Sequence, residues 1–375
     1  MFTWLKRFSH IDWILFWATI PLLGAGLITM SSFTGADNYF TRQLIWIVVS
    51  IAVFFLFSSL DLRFLKKTEI ISLGFAITCG VLLLLFVVGT VSKGAQSWFR
   101  LGFFSIQPSD PAKLMLILLL SKYFSRRHIE IANIRHIIVS GLYAFILFFL
   151  ILMQPDFGSA VIIFFIWLGM VLVSGISKKH LITVFVIGVV SFAGLWNFAF
   201  ADYQKARVMN FLNPLADIRG SGYNAYQSTI TVGSGQIFGK GIGYGTQSRL
   251  HFLPEYQTDC IFAAFSEEWG FIGSMLVLLL FTIIIYRILK NAIRGAGNFE
   301  ILYGAGVAIL FMSHFFINVG MNMGVLPVTG ITVPFLSYGG SHLIIEFAAL
   351  GILMSMRKYA RAIHKDVMKN EFIGA

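Results

Sequence analysis

Apolar stretches close to 20 residues long recur along this 375-residue chain, at about 12–32, 44–60, 70–92, 108–124, 136–153, 157–175, 181–200, 259–289, 302–324 and 338–356. A helix needs about 20 such residues to cross the hydrocarbon layer, where its backbone has no partners but its own. Ten in succession leave too little polar sequence for a water-soluble fold: only 12% of residues are charged and 57% are hydrophobic. The expectation is an all-α, polytopic integral membrane protein of about ten transmembrane helices. It is read as one domain over 1–375, with a single large extracytoplasmic loop at about 201–258.

Lysine and arginine collect in alternate connections, and short loops rich in them stay in the cytoplasm. Lys6, Arg7, Arg63, Lys66, Lys67, Lys122, Arg126, Arg127, Arg135, Lys178, Lys179, Arg287, Lys290, Arg294 and the tail from Arg357 to Lys369 define one side. The short loops of the other side hold only Arg42, Lys93 and Arg100. Both termini are therefore expected in the cytoplasm, in a multi-pass protein of the cytoplasmic (inner) membrane. The first apolar run reads as a retained span, being longer than a signal-peptide core and lacking a small-residue cleavage site. The net charge of +11 sits in loops where the membrane accounts for it, so no nucleic-acid partner is expected. Cys79 and Cys260 are too few for a disulfide framework or a thiolate metal site, and the histidines form no HExxH pattern. The sequence requires no cofactor, although a divalent cation is compatible with it.

The 201–258 connection interleaves aromatic and aliphatic residues with glycine, and its TITVGSGQIFGKGIGYGTQ segment is too apolar for a solvated linker. It is expected to fold onto the membrane surface, with a short amphipathic helix near Tyr223 to Val232. Its glycines do not make a nucleotide loop: Ser234 stands where GxxxxGK[ST] needs its first glycine, and Gly241 follows Lys240. They can still let backbone amides approach a pyrophosphate, with Lys240, Arg249 and Arg207 adding charge. Alternatively they only make tight turns, and the cations pair with Asp217 or lipid headgroups.

Asp110 in IQPSDPAK, Asp156 in MQPDFGSA and Asp259 in EYQTDCIFA each precede an apolar helix on the outer side. An acid there is a natural cap and complements the helix dipole, Asp110 most of all because Pro111 follows it. Capping explains Asp259 least. Thr258 can cap instead, and Glu267 and Glu268 follow about two turns deeper, where an ionised group needs a polar cavity or a partner. The helix from 259 is expected to line a cavity open to the outside, with Lys113 pairing one of the glutamates. The functional alternative is that Lys113 and Asp156 line a substrate groove together with Asp259.

Four blocks, IQPSDPAK, LMQPDFGSA, GTQSRLHFLPEYQTDCIFAAFSEEWGFIG and NMGVLPVTGITVPFLSYGGS, together resemble the signature blocks of the SEDS family (shape, elongation, division and sporulation) across essentially the whole chain. FSEEWGF with MNMGVLPVTG looks closer to the elongation, RodA-like branch than to the division branch. The resemblance implies a peptidoglycan glycosyltransferase that polymerises lipid II, a disaccharide-pentapeptide carried on undecaprenyl pyrophosphate, during cell elongation. It implies Asp259 as the essential carboxylate and matches Asp110, Lys113 and Asp156 to family positions. It further implies two kinds of partner, a class B penicillin-binding transpeptidase and the membrane proteins of the rod-shape complex. The chain departs from the family pattern in having Asp110 for glutamate, Cys260 for an aromatic residue, and His342 for the small residue after SYGGS. His342 reads as an interior hydrogen-bonding histidine.

The chemistry follows from the residues. An acceptor hydroxyl is a poor nucleophile at neutral pH, and a carboxylate about 3 Å away can take its proton. Asp259 is the candidate base. Lys113, Asp110, Asp156, Arg207, Lys240, Arg249 and Glu267 are the candidate substrate-binding residues, with Arg207, Lys240 and Arg249 stabilising the departing pyrophosphate. A flippase for lipid-linked sugars is the alternative, and it needs a polar path through the inner half of the membrane, where such residues are missing. A scaffold without activity is a third reading.

Overall fold

The computed structural model describes residues 10–32, 39–92, 95–101, 104–126, 134–175, 177–198, 202–213, 217, 220, 222–250 and 252–373. Lys6, Arg7, Lys93 and Arg127, used above for orientation, lie outside them. Each of the ten apolar segments is helical: α1 (Trp13–Ser31), α2 (Tyr39–Ser59), α3 (Thr68–Val88), α4 (Ser109–Ser125), α5 (Ile134–Leu152), α6 (Phe157–Val173), α7 (Lys178–Phe198), α11 (Ile261–Ile293), α12 (Asn298–Asn322) and α13 (Gly340–Ile373). The long connection contributes α8 (Asp202–Leu212), α9 (Tyr223–Ser234) and the single turn α10 (Thr246–Arg249). Among the described residues, α1, α2, α3, α5, α11 and α12 are long and apolar enough to cross a membrane by length and composition. The shorter α6 has 17 residues, and α4 is made less apolar by Asp110, Lys113 and Lys122.

The architecture is all-α as expected, with one small addition between α3 and α4, a three-stranded antiparallel meander of β1 (Thr90–Ser92), β2 (Ala95–Leu101) and β3 (Phe104–Ile106). Thr90 faces Trp98 and Arg100 faces Ser105. The third span therefore ends at Val88 rather than near residue 92. Gly89 leaves the helix in an extended conformation, and the β-branched Thr90 and Val91 continue as strand.

At the centre of the bundle, α12 packs against α11, α4 and α6, while α2 packs along α13 and α5 along α6. Peripheral α2 and α3 keep Leu44, Ile45, Val48, Leu73, Ile77 and Leu83 exposed, as helices in contact with lipid do. At one end, Asp12 caps α1 by accepting from the Ile14 and Leu15 amides at 3.1 and 3.2 Å. The same carboxylate receives Arg287 Nε and Nη2 at 2.9 and 2.5 Å and Asn291 Nδ2 at 2.7 Å, with Arg357 3.6 Å away. Nearby in the sequence of helix ends, Glu300 at the start of α12 pairs with Lys66. Helix ends that carry basic connections are thus tied to one another on a shared face. The connection holding α8 to α10 leaves from the opposite end, called the loop face below.

Candidate active site

Helix α11 is broken at Gly270, whose φ of 66° and ψ of −163° lie outside the helical region and suit only glycine. In lipid such a break would strand carbonyls and amides, and the turn after α9 supplies partners for four of them. The Glu267 and Glu268 carbonyls accept from the Lys240 and Gly241 amides at 2.9 and 3.0 Å. Beyond the break, the Phe271 and Ile272 amides donate to the Gln236 and Ile237 carbonyls at 2.8 and 3.2 Å. Contact is close enough that a Cβ on Gly239 would lie 2.7 Å from the Gly270 nitrogen.

The glycine-rich turn does cradle an anion, and that anion is the chain's own. Glu267 Oε1 accepts from Lys240 Nζ at 2.8 Å, the Gln247 amide at 3.0 Å and Thr246 Oγ1 at 3.2 Å. Its Oε2 accepts from Ser248 Oγ at 3.1 Å, and Glu268 Oε1 accepts from the Gly243 amide at 2.9 Å. Glu267 and Lys240 thus anchor the turn to the helix break: the carboxylate is fully buried and its lone pairs are engaged by the turn. The expected amphipathic helix is present as α9.

Asp259 lies two residues before α11, whose cap position is Cys260, so it is not the cap. Its backbone carbonyl accepts from Asn318 Nδ2 at 2.8 Å and Asn322 Nδ2 at 3.0 Å, both on the loop-face end of α12. Ser228 of α9 donates to Asn322 Oδ1 at 2.6 Å, joining the loop-face connection to the same support. The preceding carbonyls, of Gln257 and Thr258, accept from the Tyr338 amide at 2.9 Å and Ser337 Oγ at 2.8 Å. The half-buried Asp259 side chain faces Gly330, where an added Cβ would lie 3.4 Å from Oδ2.

The segment between α12 and α13 that carries Gly330 also reaches the second cluster of acids. Gly158, beside Asp156, admits the Thr329 carbonyl so closely that a Cβ would come within 2.6 Å of it. Asp156 does cap its helix, with Oδ1 accepting from the Ser159 amide at 3.1 Å and Oδ2 from Gln107 Nε2 at 2.8 Å. Asp110 does not: the cap position of α4 is Pro108, and Asp110 turns inward from the first turn. It takes Lys113 Nζ at 3.0 Å, so the partner of Lys113 is Asp110 rather than a glutamate of α11. Both are 3% exposed, which makes this an internal pair near the loop face. His342 is the interior hydrogen-bonding histidine expected, with Nδ1 3.4 Å from Asp110 Oδ1, while its Nε2 lies at ion-pair distance, 2.9 Å, from Glu346 Oε1 without the alignment of a hydrogen bond.

Glu346, Asn318 and Asn322 were not anticipated, although each left a trace in the sequence. Glu346 follows His342 by four residues in an otherwise apolar run, and the two asparagines are also four apart, the spacing at which helix side chains meet. Glu346 Oε2 accepts from the Phe335 amide at 3.1 Å. Phe335 has a φ of 62°, a left-handed conformation costing of order 1–3 kcal/mol for a bulky residue. Its buried ring is wedged between Phe311 and Phe347, at centroid distances of 5.2 and 5.5 Å. Arg249 is exposed at the end of α10, and Arg207 is half-buried on α8.

The family described as cell cycle protein, FtsW/RodA/SpoVE, matches residues 11–362. Stage V sporulation protein E of Bacillus subtilis is 35% identical over 360 residues, covering 93% of this chain and 98% of that protein. Peptidoglycan glycosyltransferase MrdB of Escherichia coli K12 is 38% identical over 280 residues, covering 74% and 75%. Among solved structures, a chain of a peptidoglycan synthase complex that coordinates polymerization and crosslinking superposes with a TM-score of 0.80 at 28% identity, covering 93% and 98%. Thermus thermophilus rod shape determining protein RodA superposes at 0.70 with 26% identity, covering 92% and 96%.

Proposed function

Because this chain belongs to the FtsW/RodA/SpoVE family of cell cycle proteins, we propose that it is a peptidoglycan glycosyltransferase of the RodA type, polymerising lipid II with Asp259 as general base. The observation that carries the reading is the mounting of Asp259. Its backbone is pinned by Asn318 and Asn322 while its side chain stays half-buried at the loop face. In the reaction, an acceptor hydroxyl gives its proton to the Asp259 carboxylate as its oxygen bonds to the anomeric carbon of the donor sugar. The bond from that carbon to the pyrophosphate oxygen breaks, the electron pair leaves with undecaprenyl pyrophosphate, and configuration inverts. Arg207, Lys240 and Arg249 are the cations for the leaving group, Lys240 being oriented by Glu267.

In this reading the loop face is extracytoplasmic, both termini are cytoplasmic, and the membrane is the inner one, as the distribution of Lys and Arg argues. The polyprenyl tail stays in hydrocarbon while the sugars reach Asp259 from water, and Asp110, Lys113 and Asp156 lie under the substrate. A class B penicillin-binding transpeptidase crosslinks the strands, and rod-shape complex proteins recruit the pair. Polymer formation from purified lipid II, with the cognate transpeptidase present, tests the function. Strands from wild type and none from Asp259→Asn are expected. Strands from both would remove Asp259 as base, and none from a verified wild-type complex would turn the reading toward lipid transport.

A further inference from the structure

Glu346 and His342 take no part in the proposed reaction, yet they occupy the middle of a continuous line of contacts. On one side, His342 reaches Asp110, 3.4 Å away, and Asp110 holds Lys113 at 3.0 Å. On the other, His342 Nε2 lies at ion-pair distance from Glu346 Oε1, 2.9 Å, and Glu346 Oε2 accepts from the Phe335 amide at 3.1 Å. From Phe335 the chain runs on to Ser337 and Tyr338, which donate to the Thr258 and Gln257 carbonyls at 2.8 and 2.9 Å, immediately before Asp259. Glu346 is 2% exposed. A carboxylate in an apolar helix persists only with partners, and a left-handed phenylalanine persists only where its surroundings over-determine it. Glu346 meets both conditions at once, being held by His342 and holding Phe335.

We propose that Glu346 and His342 are positioning residues, tying the 333–338 segment, and through it the backbone at 257–259, to the buried Asp110–Lys113 pair. Asp259 is thereby kept in fixed register with the interior pair across the substrate groove. The catalytic half of this proposal rests on the transferase reading above, and the mechanical half does not.

Hydrogen exchange measured by mass spectrometry on the full-length protein separates the two halves, using wild type, Glu346→Leu and Glu346→Gln. Leucine removes the acceptor for the Phe335 amide, whereas glutamine keeps one. In Glu346→Leu, peptides covering 333–338 and 253–260 are expected to exchange about tenfold faster, with peptides around Asp12 unchanged and Glu346→Gln close to wild type. Faster exchange confined to 333–338, or equal effects of both substitutions, would overturn the tie. Should Glu346→Leu not fold, His342→Ser replaces it, with the same two peptides expected to respond. In polymerisation, Glu346→Leu is expected to lower kcat about tenfold at unchanged KM for lipid II, as displacement of a base does. A raised KM at unchanged kcat would overturn the positioning role. The exchange pattern without polymer from wild type would sink the transferase reading and leave the tie standing.

Discussion

Lys240 Nζ lies 2.8 Å from Glu267 Oε1, joining a glycine-rich turn of the loop face to a carboxylate with no exposed surface on a broken membrane helix. Lys240→Met would leave that charge with neutral donors only. Breaking a fully buried pair costs about 3–5 kcal/mol. With Lys240 29% exposed, solvent screening reduces the expected loss to roughly 2 kcal/mol. Thermal unfolding of the solubilised protein measures it. Unchanged stability together with weaker lipid II binding would make substrate contact, not anchoring, the role of Lys240.

Asp259→Asn keeps the backbone carbonyl that Asn318 and Asn322 hold, so the fold should survive. A general base contributes about 10²–10⁴ in rate, and polymerisation is expected to fall at least 100-fold. The unfolding temperature should stay within about 2 °C of wild type. A comparable fall in stability would mean the side chain is structural.

Asn318 Nδ2 donates to the Asp259 carbonyl at 2.8 Å and to the Ile331 carbonyl at 2.5 Å, bridging the two segments that flank the site. Asn318→Leu deprives both buried carbonyls of this donor, at a cost of about 1–3 kcal/mol. Turnover should drop more than tenfold while KM changes little, because the base is displaced and the groove is not. Steady-state kinetics on folded variant protein decides it.

Gly239 and Gly243 both have a φ of 80°, but an added Cβ on Gly239 would lie 2.5 Å from the Glu268 carbonyl carbon, whereas on Gly243 it meets open space. Gly243→Ala should therefore cost only the left-handed penalty, about 1–2 kcal/mol. Gly239→Ala should cost several times more or prevent accumulation. Equal expression and unfolding temperatures for the two would show that the helix break tolerates a shifted turn.

Asp110 and Lys113 are buried together, so losing either partner alone is expected to destabilise by about 3–5 kcal/mol. The double replacement Asp110→Leu with Lys113→Met should be more stable than either single one. Three unfolding curves test this, and additive losses would argue against a pair.

What was legible in the sequence is what short range decides. Ten apolar segments become ten helices because backbone hydrogen bonding in lipid leaves no other choice. The α9 helix and the Asp156 cap are likewise local: each depends on residues within a turn or two of itself. Even the β1 strand was written into the β-branched Thr90 and Val91, although the continuous apolar run concealed it.

Long-range pairing was decided only by packing. Glu267 and Lys240 are 27 residues apart, and Asp110 and His342 are 232 apart. Composition announces that a buried charge needs a partner and leaves several candidates of the right sign, so Lys113 reads as well beside a glutamate of α11 as beside Asp110. Which cation arrives depends on how α4, α11 and α13 stack and where α11 breaks. Asp259 could be singled out from its neighbours in the chain, but the asparagines that hold it, and the line through Phe335 and Glu346 that joins it to Asp110, exist only once α12 and α13 close around the loop.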